Sequence, residues 1–497
     1  MKLSHSASLF FSLGLLAACG PEAKVYRAAP PVASASAAPP DREAWRNQRP
    51  TPGPAGEVRF PAPEVAKLPN GMTLYVVRRP AAVVTLHLVV RHGASAVPEG
   101  KSGLAALTAR MLTEGTRKHS SLALAEAAES LGSSLEADAS RDDSLVGISA
   151  LVADVDKAME LLAEVVTVPA FDAKEFDRVR AEWLDKLVGE RQAPERLASL
   201  AGLRLLNGPV HGAPVGGGVS DVKKLTVADL VAFHARAYQP ESSALVLVGD
   251  VSLDAVRASA QKYFAAYRKK PGTKPAVVPP LPPAPQGQRV VLVDRPGAVQ
   301  TALFAGQRFP ARSAPGYEAR EVLGEIVGGL FTSRINMNLR EKNAYTYGAS
   351  GRPVAARNWG AFVVSSSVRT DVTAPALAEV VRELERARDP SLGAPLTNDE
   401  IGRAKADLLH TLGARLEHTS RVAQAMTTLF SLDLGNDYYT RYPSLLAAIG
   451  QPELATNAGL LTPDDLVIVL VGDKKEIAPG LEKAGLKLET APDSLTD

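Results

Sequence analysis

Few side chains in this sequence of 497 residues are spaced to do chemistry. Its eight histidines never cluster: His87 and His92 lie in or beside a strand-like run, and His5, His119, His211, His234, His410 and His418 stand apart. The single cysteine, Cys19, excludes an intramolecular disulfide and a thiolate zinc cage. No G-x-S-x-G elbow is present to carry a hydrolase serine. The loop from Gly93 to Ser102 has the composition of a phosphate cradle, but its first glycine stands two residues too far from Gly100-Lys101-Ser102. The glycines 216–218 read as a turn. Arg340 and Tyr347 offer a fork of fixed N–H donors and a phenolic donor. By spacing alone they are equally a cation near a helix C-terminus and an ordinary strand residue. With 56 basic against 54 acidic side chains, a net charge of +2 argues against nucleic-acid binding, and 45% hydrophobic residues against disorder.

The elements that must position these groups fall into two blocks. At about 150 residues per domain the length suggests two to three domains. Residues 1–18 carry Lys2, a short apolar stretch and Leu-Ala-Ala ahead of Cys19, which resembles a bacterial lipoprotein signal. That resemblance implies cleavage before Cys19, a lipid on its sulfur, and a chain held at the cell envelope facing the periplasm. The outer membrane is favoured, since Gly20 is not the aspartate associated with inner-membrane retention. Residues 19–57, rich in proline, alanine and serine, read as a disordered tether. A first lobe is expected over 58–270, a proline-rich linker over 271–287 and a second lobe over 288–490. Runs such as VTLHLVV at 84–90 alternate with helical spacings such as VDKAMELLAEVV. The blocks echo each other: ALVLVGDV closes the first and LVIVLVGDK the second, each preceded by a Leu-Thr cap signal (LTVADL, LTPDDL). A period of roughly 220 residues is that of a duplicated domain rather than a solenoid. The fold class is α+β, with two homologous lobes, each a mostly antiparallel sheet packed with helices, facing across a chamber.

Several segments, in matching order, resemble the pitrilysin/insulinase family of inverted zinc peptidases. They are LPNGMTLYVVRRP at 68–80, RHGASAVPEGKSGLAALTARMLTEGT at 91–116, FDAKEFDRVRAEWLDKL, and GEIVGGLFTSRINMNLREKNAYTYGASG at 324–351. The likeness is to the two-lobed bacterial and mitochondrial-processing type. It implies an H-x-x-E-H zinc motif on a helix, two histidines as ligands and the glutamate activating water. The matching positions here are Ala106, Ala109 and Arg110, so no catalytic group or metal ligand is expected from this chain. Alanine offers no donor atom and arginine stays protonated. A guanidinium about 4 Å from a dication repels it by roughly 8 kcal/mol at an effective dielectric of about 20. That rivals the ~10–16 kcal/mol of a structural zinc site. Helical spacing places Leu104, Leu107, Met111 and Leu112 on one apolar stripe and Ala106, Ala109 and Arg110 opposite, toward the chamber. A third ligand would fall near 180–187, where Glu182 lies but cannot hold zinc alone. Glu417-His418 ends a similar pattern, but Ala414 stands where it would need histidine.

The same resemblance gives the second lobe its signature: Gly328, Gly329, Ser333, Arg334, Arg340 and Tyr347. It implies that Arg340 and Tyr347 contact substrate across the chamber. Tyr345 competes as the inward-facing phenol, because the turn at Asn343-Ala344 departs from the family's glycine-containing one, and strand alternation would put both tyrosines on one face. The expected function is a non-catalytic subunit of a heterodimeric zinc peptidase. Its partners would be a zinc-bearing homologous chain, peptide or unfolded polypeptide, and the membrane through a lipid anchor. The alternative is a stand-alone peptide-binding or envelope assembly protein on an inactive peptidase scaffold; an active enzyme using another metal site ranks last.

Overall fold

A computed structural model of the chain describes Arg46, residues 59–269, 272–392 and 394–492, and Leu495. Cys19, the signal segment and nearly all of the tether lie outside the described residues.

Twelve strands form two six-stranded sheets. The first holds β1 (Glu64–Lys67), β2 (Thr73–Arg78), β3 (Val83–Val90), β4 (Glu136–Ala139), β5 (Ser144–Leu151) and β6 (Ser243–Gly249), in the order β1-β2-β6-β3-β5-β4. The second holds β7 (Arg289–Asp294), β8 (Gln300–Phe309), β9 (Thr346–Ala355), β10 (Gly360–Arg369), β11 (Val467–Gly472) and β12 (Leu488–Thr490), in the order β12-β7-β11-β8-β10-β9. The repeated Val-Gly-Asp segments occupy matching places: β6 runs parallel to β2, and β11 parallel to β7, each in the middle of its sheet. The other pairings are antiparallel except β12 with β7, which is parallel. The two cap signals diverge. Thr226 and Asp229 form a capping box on the helix Val227–Ala237, whereas Thr462 opens only the short turn Pro463–Asp465.

Both faces of each central sheet are buried, which explains why SALVLVG and VIVLVG are apolar throughout rather than alternating. In the first sheet Leu74, Val76, Leu86, Leu88 and Leu247 face the helices of their own lobe. Tyr75, Val77, Val89, Val246 and Val248 point the other way and share a core with the second lobe. There the helix Thr419–Ser431 lies across β3 and β6. The arrangement is reciprocal: the first-lobe helix Pro194–His211 crosses β8 and β11, packing Leu197, Ala198, Ala201 and Leu206 on Phe304, Val467 and Val469. A Cβ at Gly202 would overlap the Phe304 ring, so this crossing is tight enough to require glycine.

Polar rungs run along the same seam. Arg79 Nη1 donates to Leu416 O at 2.6 Å, the Thr85 and Thr419 hydroxyls meet at 3.0 Å, and Arg91 Nε donates to Phe430 O at 2.8 Å. His87 Nδ1 stands 3.3 Å from the Thr427 hydroxyl. The proline-rich stretch contributes no helix or strand among its described residues. It is pinned at intervals, with Pro279 O accepting from His211 Nε2 at 2.9 Å and Pro282 O from Arg308 Nη2 at 3.2 Å.

Candidate functional site

The degenerate helix spans Leu104–Leu112 and begins at Gly103, whose φ of 89° lets it pass against the backbone of Gly216 and Gly217. Gly100-Lys101-Ser102 serves as a clasp there. The Ser102 hydroxyl donates to Asp221 at 2.6 Å and accepts from Gly218 N at 2.9 Å, while Lys101 pairs with Asp229. These donors are spent inside the protein, so the loop and the 216–218 turn lock the start of the helix rather than cradle phosphate.

The helix itself departs from the expected two-faced arrangement. Ala106 is 2% exposed and Ala109 is 0% exposed, both inside the first-lobe core. Strands β4 and β5 and the helices Val227–Ala237 and Ala173–Glu190 close around it, leaving Arg110 as its one residue with partial exposure. A helical wheel shows which residues share a face, but not that the second face is also covered. Arg110 turns back along its own helix to the buried carboxylate of Glu114 and donates to the Thr113 hydroxyl at 2.7 Å. Glu114 also binds Arg178 and accepts from the Ser121 hydroxyl at 3.0 Å. Arg178 in turn holds Glu175 and Glu182, each at 2.9 Å. Glu182 is thus an exposed ion-pair partner on the helix Ala173–Glu190.

These residues do not fit a zinc ion. Two of the three positions are buried methyl groups and the third is a cation bound to the nearest carboxylate. Among the described residues no group of three or more His, Cys, Asp and Glu could hold a metal. Three histidines are engaged elsewhere: His92 Nε2 meets Ala276 O at 3.2 Å, His234 Nε2 meets Val166 O at 2.9 Å, and His119 Nδ1 meets Glu164 at 2.8 Å.

The second-lobe signature is built on close backbone approach. Gly328 bridges Gly351 of β9, and a Cβ at Gly328 would overlap that backbone. Arg334 proves structural: it donates to Glu400 at 2.7 and 2.9 Å and to the carbonyls of Ala394 and Pro395. Burial works to raise the Glu400 pKa, but hydrogen bonds from Arg334 and Thr397 outweigh it and hold the group at about 2. The chain then winds through a π-helical turn, Met337–Lys342, a departure from α geometry often seen at functional sites. Arg340 projects from that turn. Its guanidinium carbon lies 3.7 Å from the centre of the Phe331 ring, and Glu341 accepts from Nε at 2.7 Å and from Nη2 at 2.6 Å. Phe331 is 66% exposed, but the arginine stacked on it is itself only 23% exposed, partly covered by the ring and by Glu341.

The two tyrosines separate. β9 starts only at Thr346, and Ala344 adopts φ 52°, so alternation does not carry back to Tyr345. Tyr345 packs half-buried against the second-lobe core, with its amide on Leu339 O at 2.8 Å. Tyr347, on an edge strand, is 92% exposed, and its phenol makes no hydrogen bond to any described residue. The expectation that the two share a strand face is therefore corrected. Phe331 and Glu341, which hold Arg340, were missed from sequence. An aromatic outside the helical apolar stripe was the available signal for Phe331; Glu341 carried none.

Comparison with known proteins adds the family. Residues 73–199 match the model for insulinase (peptidase family M16), and residues 224–408 match that for the peptidase M16 inactive domain. The chain belongs to the M16 peptidase family. An uncharacterized zinc protease of Mycobacterium tuberculosis is 27% identical over 75% of this chain and 84% of that protein. The mitochondrial-processing peptidase subunit beta of Saccharomyces cerevisiae is 22% identical over 82% of this chain and 88% of its own length. Among solved structures, a peptidase M16 inactive domain from Pseudomonas fluorescens superposes with a TM-score of 0.75 at 25% identity, covering 83% of this chain and 98% of that one. A protease from Helicobacter pylori gives 0.76 at 20% identity, covering 83% and 100%. This M16 chain keeps the family's two-lobed fold while its zinc-helix positions carry no metal-binding atoms.

Proposed function

We propose that this chain is the non-catalytic subunit of a heterodimeric M16 peptidase. A homologous chain bearing H-x-x-E-H supplies the zinc and the water-activating glutamate. This chain supplies part of the chamber wall together with Arg340 and Tyr347, which donate hydrogen bonds to the peptide substrate. One contrast carries the reading: Ala106 and Ala109 of the helix that would grip metal are sealed into the core, while Tyr347 is almost fully exposed and Arg340, partly covered, has no side-chain partner among the described residues beyond Phe331 and Glu341. Exchanged helices fill the seam between the two lobes of this chain. Cys19 would carry the lipid that holds the complex at the outer membrane, facing the periplasm.

Co-expression with a homologous chain that carries H-x-x-E-H tests this. The two should co-purify and cut a denatured reporter peptide, while this chain alone does not. Arg340→Ala or Tyr347→Phe should lower turnover by about 10²–10³, the scale of one lost oxyanion donor, without dispersing the complex. Unchanged turnover in both variants rejects the shared site. A chain that binds the peptide but never gains cleavage from a companion is the stand-alone binding protein instead.

A further inference from the structure

The second lobe contains a cavity of about 240 Å³ that plays no part in the reading above. It lies between the helices Tyr317–Val327, Asn398–Ala414, Thr419–Ser431 and Tyr438–Ala448. Its chemistry is dominated by an unspent charge. Arg312 is 8% exposed, its guanidinium 3.6 Å from the centre of the Tyr317 ring and 4.9 Å from that of Tyr438. Its backbone N–H donates to Ala356 O at 3.0 Å, but its guanidinium forms no hydrogen bond or ion pair with any other described residue. The nearby Arg320 shows how this protein ordinarily settles a buried arginine, donating to the carbonyls of Pro315, Ala314 and Ala311 at 2.7, 2.8 and 3.2 Å. A buried guanidinium with open donors is costly unless something accepts from it.

Each neighbouring carboxylate accepts from a tyrosine rather than from Arg312. Glu321 accepts from the Tyr442 hydroxyl at 3.0 Å, and Glu318 from the Tyr438 hydroxyl at 2.9 Å. At the cavity mouth stands a second cation, Arg415, exposed and likewise without an ion pair among the described residues. The walls between the two arginines are Leu408, Leu412 and Leu432 together with tyrosine rings.

We infer that this cavity binds a small organic carboxylate, its head on Arg312 and Arg415 and its flat apolar body against the leucines and tyrosines. A stacked guanidinium presents one edge as a planar fork, which matches a carboxylate bidentately. The aromatic walls do not form a cage for a cation, because this chain's own Arg312 already occupies the ring faces. Burial pushes Glu321 up to about 7, so near neutrality its charge is partly withdrawn from the cavity. The charged and titratable groups around it are Tyr317 and Glu318 on its own helix, Arg312 before that helix, Tyr438, Tyr439 and Tyr442 from the helix opposite, and Arg415 at the mouth. Thr428 of the cavity wall belongs to the helix that crosses onto the first sheet, so an occupant bears on the seam between lobes.

Titration of the full chain with benzoate tests the assignment, with benzamide as the uncharged isostere and inorganic phosphate as a second anion. Benzoate should bind saturably with one site per chain at pH 6, at least about tenfold more tightly than benzamide or phosphate. Affinity should fall roughly tenfold by pH 8 as Glu321 ionises, and Glu321→Gln should remove that fall. Arg312→Gln should abolish binding. Should that variant not fold, Arg415→Gln, at an exposed position, decides the matter with an expected loss of about tenfold. Absence of saturable benzoate binding at millimolar concentration, equal binding of benzamide or phosphate, or unchanged affinity in Arg415→Gln overturns the inference.

Discussion

Acid should loosen the seam between the two lobes through one residue, His87. It lies on β3, 9% exposed, facing Thr427 of the exchanged helix. Burial lowers its pKa from the ordinary 6.5 to about 4. The imidazole is therefore neutral in the folded protein wherever the unfolded chain has begun to take up a proton. Its contribution is fully present above pH 6.5 and is lost as pH falls from 6.5 toward 4. At about 1.4 kcal/mol per pKa unit, roughly 2 kcal/mol has gone at pH 5 and about 3 kcal/mol below pH 4. Glu321 acts in the opposite sense. Its raised pKa means that the folded state binds the proton more readily, so acidification through 7 favours folding. A pH profile of the whole protein mixes the two effects, and a comparison with His87→Gln separates them. Glutamine can still meet the Thr427 hydroxyl but does not titrate. Urea unfolding of both proteins at pH 7.5 and pH 5 should show their stability difference changing by about 2 kcal/mol in favour of the variant at the lower pH. A difference that stays constant within about 0.5 kcal/mol refutes a neutral, buried His87.

Three other outcomes follow from the same packing. Glu114→Gln removes the buried carboxylate on which Arg110 and Arg178 converge. Because both arginines are more than a third exposed, denaturant titration should show a loss of about 1–3 kcal/mol, against about 0.5 kcal/mol or less for Glu182→Gln. Gly202→Val drives a side chain into the Phe304 ring and should cost about 1–3 kcal/mol, with faster amide exchange in β8 and β11, while Gly402→Ala, in open space on the helix Asn398–Ala414, should stabilise by about 0.5–1 kcal/mol. Metal analysis of the pure chain after dialysis against zinc should find no stoichiometric ion; one zinc per chain retained against that dialysis contradicts the reading of the Leu104–Leu112 helix.

The architecture was legible in the sequence because duplication wrote it twice. Two central strands ending in Val-Gly-Asp mark equivalent places, and the helical spacing of VDKAMELLAEVV became the helix Val155–Thr167. The reciprocal helix exchange was hidden. Amphipathic spacing says that Pro194–His211 has a face to bury, but nothing local says that the face belongs to the other lobe's sheet. At the metal-site helix the substitutions were readable, but their setting was not. The partner that answers Arg110 is set by a carboxylate that Arg178, 64 residues beyond it, also holds. Tyr345 and Tyr347 were left equivalent because periodicity assumes a strand throughout, and the positive φ at Ala344 breaks that assumption two residues before the strand starts.

The traded helices also bear on how such a chain could arise. Each sheet borrows its second cover from the opposite half, so a half made alone would present a broad greasy plane to water. Two copies of such a half would each cover the other's sheet, and joining them in one chain ties together parts that already depend on each other. A backbone cut within the proline stretch should accordingly leave two fragments that stay clasped and co-elute, whereas either fragment synthesised without its mate should aggregate.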